Sequence, residues 1–194
     1  MLLTPNALTF LRMALAFVAP VFFLSPGETH WLAAAAVYTV GAVTDLLDGL
    51  WARRRSLVTD LGKILDPVVD KCLVLGAYAA FVARGLFSAW WLAPVGVREL
   101  AVTGERIRRL RAGLPVPPST AMGKSKAVLQ HLSVLACFLH FLARESAGAG
   151  AAVRQAAPVE TWGLVQLVFL SVATAVTVVS GVEFFLGLRG ALRP

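Results

Sequence analysis

Five aspartates, the whole complement of the chain, fall between positions 45 and 70. Four keep a regular spacing: Asp45-x-x-Asp48-Gly49-x-x-Ala52-Arg53, eight residues, then Gly62-x-x-x-Asp66-x-x-x-Asp70. Residues three and four apart share a helix face. With Asp45 at zero on an ideal helix, Asp48 lies near about −60°, Gly49 near about 40°, Ala52 near about −20° and Arg53 near about 80°. Two carboxylates thus stand among the smallest side chains, where a bulky group can approach the backbone. Arg53, at the edge of that face, offers a planar fork of donors to a phosphate. Gly62, Asp66 and Asp70 fall within roughly 80° of one another on a second helix. If the two helices are antiparallel neighbours, four carboxylates converge. Such charges cannot stand together unpaired in a low dielectric. Hard divalent cations with all-oxygen ligands neutralise them, and Mg²⁺ or Mn²⁺ fits that donor set. Two ions also clamp the attacking and leaving oxygens of phosphoryl chemistry. An ion-pair network with the arginines is the competing reading, but it gives the glycines and Ala52 on these faces no role. Asp60 falls outside the pattern and reads as a solvated loop residue.

The elements that must position these carboxylates are apolar. The chain is 58% hydrophobic and 15% charged, far from the balance of a soluble domain. A membrane span needs about 20 apolar helical residues. Six stretches qualify: Ala7–Leu24, Trp31–Leu50, Leu61–Val82, Ala89–Arg106, Gly123–Leu142 and Thr161–Leu186. The expected fold is an all-α integral membrane protein, a bundle of six transmembrane helices forming a single domain over residues 1–194. The first stretch lacks a basic leader and a small-residue cleavage site, so it reads as retained rather than as a signal peptide. Ionisable residues inside such spans are expensive and mark function.

Charge sets the orientation. The net charge is +7. Arg53, Arg54, Arg55, Arg106, Arg108, Arg109, Arg111, Lys124, Lys126, Arg189 and Arg193 fall on one side, and Arg84, Arg144 and Arg154 on the other. The positive-inside rule places both termini and the aspartates at the cytoplasmic side. The basic excess suits anionic lipid headgroups. Nucleic acid is excluded as a partner, because the basic residues hug helix ends instead of forming a separate domain. Cys72 and Cys137 read as small buried hydrophobes without a disulfide. His30, His131 and His140 lack metal-ligand spacing. The Ala/Gly-rich stretch from Glu145 to Glu160 reads as a mobile external loop.

At this point the chain resembles a known family. The pattern D-x2-D-G-x2-A-R-x8-G-x3-D-x3-D is that of the CDP-alcohol phosphatidyltransferases, and every fixed position is present. Within it, the likeness is to members that use sn-glycerol 3-phosphate as acceptor. Thr4-Pro5-Asn6-Ala7-Leu8-Thr9-Phe10-Leu11-Arg12 is similar to their P-N-x-L-T-x-x-R opening, and Asp66-Pro67-Val68-Val69-Asp70-Lys71 to their D-P-x-A-D-K, with Val69 in place of alanine. Arg98-Glu99 and Gly123-Lys124-Ser125-Lys126 are similar to their R-E and G-K-x-K segments, with Ala127 where a threonine is common.

The resemblance implies transfer of the phosphatidyl group of CDP-diacylglycerol to glycerol 3-phosphate, with release of CMP. It implies that Asp45, Asp48, Asp66 and Asp70 hold two divalent ions, that Asp70 is the general base, and that the enzyme is a homodimer in the inner (cytoplasmic) membrane of a bacterium. Gly49, Arg53 and Thr59 are implied as contacts to the CDP part, with Asn6, Thr9, Ala52 and Gly62 around it. The acceptor is a dianion and needs cations. Arg98 and Arg106 lie about 80° and two turns apart on one helix and can face a common phosphate. Lys124 and Lys126, about 200° apart if helical, complete the expected set. Glu99 points about 100° away from Arg98 on that geometry. The aspartate pattern alone does not separate this acceptor from phosphatidylglycerol, inositol phosphate or serine. From another class, a divalent-cation transporter is disfavoured by Arg53 beside the carboxylates and by aspartates at helix ends.

Overall fold

The structure, a computed structural model, describes residues 5–51, 60–115 and 121–190. At 5–9, 45–51, 60–67, 70, 121, 124, 189 and 190 it describes the helical backbone alone. The described residues form seven helices and no strand: α1 (Pro5–Leu24), α2 (Glu28–Trp51), α3 (Asp60–Ala83), α4 (Ala89–Arg111), α5 (Ala121–Glu145), α6 (Ala149–Ala156) and α7 (Val159–Gly190). The all-α expectation holds, and each of the six expected apolar stretches lies within a helix of 20 residues or more. Ser125–Glu145 and Val159–Leu188 are long and apolar enough to cross a membrane, while Phe10–Leu24 and Lys71–Ala83 are shorter apolar stretches.

α1 lies between α2 and α3, α5 packs along α7, and α4 joins the two groups through α3 and α7. Side-chain contacts fix the up-and-down order. At one end of the bundle, Phe23 of α1 meets Phe81 of α3 at 4.8 Å and Phe141 of α5 at 4.6 Å between ring centroids. Trp31, near the start of α2, meets Phe141 at 5.1 Å. These edge-on pairs contribute about 0.5–1.5 kcal/mol each beyond the area they bury. The end of α1, the start of α2, the end of α3 and the end of α5 therefore share one end. The aspartate-bearing ends of α2 and α3 belong to the other.

The turns at the aromatic end are built from local chemistry. α3 stops at Gly85, whose φ of +70° is open to glycine without strain. Leu86 N–H donates to Phe81 O and Gly85 N–H to Val82 O, the paired bonds of a Schellman stop. Gly113, at φ +65°, closes α4 in the same way. Arg84 extends one guanidinium nitrogen to the carbonyls of Phe23, Leu24 and Ser25 at 2.8–3.0 Å, satisfying the last acceptors of α1.

The stretch 145–160 departs from expectation. It contains α6, held at its start by a residue 120 positions away: Glu28 accepts from the backbone N–H of Gly148 at 3.0 Å and from that of Ala149. These bonds hold the Glu28 carboxyl below its usual range, the one to Ala149 contributing most and that to Gly148 next. Arg154 donates to Ala143 O and Ser146 O, and the Trp162 indole N–H donates to Val153 O. Gly150 serves close packing, since a Cβ there would lie 2.2 Å from Leu142 O. The composition suggested mobility, but the glycines let α6 dock.

Candidate functional site

Away from the aromatic cluster, the middle of the bundle is polar. Arg98 and Glu99 lie midway along α4, Lys71 midway along α3, Lys126 and Gln130 in the first turns of α5, and Thr177 and Ser180 in the second half of α7. Their side chains meet around one carboxylate. Glu99 is 2% exposed. Its Oε1 accepts from Lys126 Nζ and from Arg98 NH1 at 3.2 Å, with Gln130 Nε2 at 3.4 Å. Its Oε2 is 3.5 Å from Lys71 Nζ and has no hydrogen-bond donor. Gln130 Nε2 also donates to Thr177 Oγ1 at 3.0 Å, and Arg98 NH2 to Ser180 Oγ at 2.9 Å. Thus α3, α4, α5 and α7 are stitched together at Glu99. Helix geometry had set Glu99 apart from Arg98. The contact forms because the arginine side chain is long enough for one guanidinium nitrogen to reach Glu99 while another reaches Ser180 of α7.

Room for that side chain comes from α7. A Cβ on Gly181 would lie 2.7 Å from Arg98 Cγ. One turn further, Phe184 carries the Arg106 guanidinium over its ring at 5.6 Å. Arg106 is half-buried and feels the charges of both Arg98 and Glu99. The Nε atoms of Arg98 and Arg106 are buried without a hydrogen-bond partner. Such donors are costly unless something satisfies them. Among the described side chains, Lys71, Arg98 and Lys126 pair with this carboxylate, and Arg106 stands near enough to feel its charge. An excess of positive charge with unpaired N–H groups can receive a multiply charged oxyanion.

The expected acceptor residues are therefore partly gathered. Arg98 and Lys126 share a carboxylate, and Arg106 stands beside them. Lys124 lies in the first turn of α5, its side chain outside the described residues. Lys71, Glu99, Gln130, Thr177 and Ser180 were absent from the sequence-derived site. Lys71 and Glu99 stood inside stretches that carry the family resemblance, while Gln130, Thr177 and Ser180 showed only as polar residues within apolar helices, and nothing in the spacing encodes contacts between α3, α4, α5 and α7. Arg108 and Arg109, by contrast, pair with Glu105, and Arg109 also donates to Pro115 O.

Asp45, Asp48 and Gly49 occupy the last two turns of α2, and Gly62, Asp66 and Asp70 the first three turns of α3. Asn6 and Thr9 lie in the first turns of α1. For these, only the backbone position is described. Ala52, Arg53 and Thr59 lie outside the described residues. The two aspartate-bearing helices meet at Gly41 of α2, where a Cβ would come within 3.1 Å of Leu73 of α3 and 3.8 Å of Leu15 of α1. Arg12 of α1 is buried and partnered. Between α1, α3 and α4 lies an open, mostly apolar cavity of about 630 Å³, with Phe17, Val21 and Leu75 along it and Lys71 and Glu99 on its wall.

The histidines have other partners. Tyr38 OH and His131 Nδ1 are 2.8 Å apart in the core, His140 pairs with Gln166, and His30 Nδ1 meets Pro26 O at 2.9 Å. Cys137 is buried and Cys72 half-buried, both as free thiols.

A profile of the CDP-alcohol phosphatidyltransferase family matches residues 2–179. The CDP-diacylglycerol–glycerol-3-phosphate 3-phosphatidyltransferase of Bacillus subtilis is 34% identical, over 93% of this chain and 92% of its own. That of Mycoplasma pneumoniae is 30% identical, over 91% and 83%. That of Escherichia coli K12 is 36% identical over 67% and 73%.

Proposed function

The chain belongs to the CDP-alcohol phosphatidyltransferase family, and on that premise we propose that it transfers the phosphatidyl group of CDP-diacylglycerol to sn-glycerol 3-phosphate, yielding phosphatidylglycerophosphate and CMP. The observation that carries the choice of acceptor is the array of buried Lys126 with half-buried Arg98 and Arg106, which has two buried guanidinium N–H groups without a partner. An acceptor that carries its own phosphate dianion satisfies those donors. A neutral alcohol leaves them unpaired in an apolar surround. In that sense the chain is phosphatidylglycerophosphate synthase-like, and Lys124 joins the same set of acceptor cations.

Members of this family use divalent metal ions, and the donor set of this chain suits them. Asp45 and Asp48 follow Gly41 by four and seven residues, and Asp70 and Asp66 precede Leu73 by three and seven. These offsets are one and two turns along the faces that meet at Gly41 and Leu73, which supports four carboxylates at one site. Asp45, Asp48, Asp66 and Asp70 would hold two Mg²⁺ or Mn²⁺ ions, which would supply stabilisation of the charge that builds on the phosphate oxygens. Asp70 takes the proton of the acceptor hydroxyl as its oxygen forms a bond to the phosphatidyl phosphorus. The bond from that phosphorus to the CMP oxygen breaks, and CMP leaves. Gly49, Ala52 and Gly62 leave room for the CDP part, Arg53 and Thr59 contact it, and Asn6 and Thr9 line its approach from α1.

The apolar helices and the basic excess at one end support a six-span protein of the bacterial inner membrane, with both termini and the site on the cytoplasmic side; the homodimer is what the family resemblance implies. In lipid or active detergent with Mg²⁺ or Mn²⁺, CMP release should require CDP-diacylglycerol and glycerol 3-phosphate together. Release with neither alcohol dependence nor metal dependence refutes the reading, and turnover with phosphatidylglycerol, inositol phosphate or serine instead moves the acceptor. Asp70→Asn should abolish turnover with folding intact.

A further inference from the structure

We propose that Glu99 is a positioning residue that ties the end of α3 carrying Asp70 to the cations of the acceptor pocket. This rests on the reading of that pocket given above. Three observations carry it. First, the carboxylate is divided between two tasks: Oε1 gathers Lys126 and Arg98, the pocket cations, while Oε2 faces Lys71 at 3.5 Å. Second, Lys71 directly follows Asp70 on the same helix, so the Glu99–Lys71 pair is the described charge link between the acceptor pocket and the reactive turn of α3. Third, Glu99 Oε2 accepts no hydrogen bond. For a carboxylate 2% exposed, that leaves the ion pair with Lys71 as its compensation on that side, and the pair can tighten.

The device works through competition for charge. Without a bound phosphate, Lys126 and Arg98 are held by Glu99. An incoming dianion draws on both, and the share of Glu99's charge available to Lys71 rises. The ammonium and the turn of α3 that bears it are then held more firmly against α4. Acceptor binding thereby steadies the helix whose Asp70 removes the acceptor's proton. A carboxylate whose only job was to neutralise buried cations needs no partner on α3. Lys71 also lines the open cavity between α1 and α3, its side chain 28% exposed.

The test is a double-mutant cycle on kcat with Glu99→Gln, Lys71→Met and the double variant. The glutamine keeps an oxygen acceptor for Lys126 and Arg98. If Glu99 acts through Lys71, each single variant lowers kcat about tenfold, the double is no worse than either, and KM for CDP-diacylglycerol stays at the wild-type value. Multiplying effects, or a Glu99→Gln enzyme with wild-type kcat and altered melting temperature only, overturn the proposal. A second readout does not need turnover. Inorganic phosphate should slow hydrogen exchange in α3 around residues 71–75 in the wild type and fail to do so in Glu99→Gln. Lys71→Met, at the more exposed partner, gives the same exchange test should Glu99→Gln fold poorly, and phosphate protection of α3 that survives in it overturns the link. If the wild type uses a different alcohol, the acceptor reading falls on that result alone, and the same cycle run with the alcohol actually used still decides the role of Glu99.

Discussion

At the level of single residues, the acceptor pocket separates groups that hold the fold from groups that await a ligand. Arg106 belongs to the second kind: it stacks on Phe184, and its Nε has no partner. Hydrogen bonds to charged groups contribute about 1.5–3 kcal/mol, so Arg106→Ala should raise KM for glycerol 3-phosphate by roughly ten- to a hundredfold and change the melting temperature little. Gly181→Ala tests the same pocket from behind. The new methyl group would meet Arg98 Cγ at 2.7 Å, near the root of the side chain, where no easy rotation relieves it. Overpacking of this kind costs about 1–3 kcal/mol, and the displaced guanidinium loses Ser180 or Glu99. Both a lower melting temperature and a higher acceptor KM should follow in the same variant, measured by thermal unfolding and by CMP release. Residue types told part of this in advance. Arg98 and Lys126 stand out as charges in apolar sequence, whereas Gly181 does not, because its role is space for a side chain 83 positions earlier. Glu99 was visible as a residue but not as a hub. A helical wheel gives the direction of a Cβ, and a seven-atom arginine side chain can reach past it.

Whole helices were the most legible feature. Each apolar stretch of about 20 residues states its own length, and α1, α2, α3, α4, α5 and α7 lie where those stretches do. The exception, α6, shows what composition misses. Eight residues rich in Ala and Gly do not hold a helix alone. The N–H groups at its start are satisfied by Glu28, a residue on another helix. This link is pH-sensitive in a definite direction. Since the bonds hold the Glu28 carboxyl below its ordinary value, their stabilisation is fully present above the unfolded-state pKa of about 4.3. It is lost as pH falls through the lower folded-state value. Hydrogen exchange at Gly148 and Ala149 should therefore be slow at neutral pH relative to a Glu28→Gln variant, with the difference vanishing in acid. Arg84 makes the matching tie at the end of α1. Arg84→Ala removes the guanidinium donor from the carbonyls of Phe23, Leu24 and Ser25, of which only that of Ser25 keeps the Trp31 indole N–H, and should lower the melting temperature by several degrees, about 2–4 °C per kcal/mol for a chain of this size, without changing either substrate KM.

Across the molecule, the helices alternate so that one end collects aromatic rings and the other collects charge. Phe23, Trp31, Phe81 and Phe141 meet at the first. Lys71, Arg98, Glu99 and Lys126 meet at mid-bundle, and Arg106, Arg108, Arg109 and Arg111 carry α4 on to the second end. The aspartates lie on the helix ends that belong to this second end. Their spacing carried the family resemblance, whereas the side of the bundle follows from contacts made dozens of residues apart. The orientation in a membrane then rests on charge. Basic residues concentrate at the aspartate end, and cytoplasmic loops carry that excess. The consequence is a labelling pattern. In a background with Cys72→Ala and Cys137→Ala, cysteines replace Ser88, which caps the aromatic-end start of α4, or Arg111, which closes its other end. A membrane-impermeant thiol reagent added to intact bacterial cells should label Ser88→Cys and spare Arg111→Cys until the membrane is opened. The reverse pattern would put the site on the outer face, where CDP-diacylglycerol and glycerol 3-phosphate made inside the cell do not reach it. Labelling of both positions from outside would mean that α4 does not cross the membrane at all.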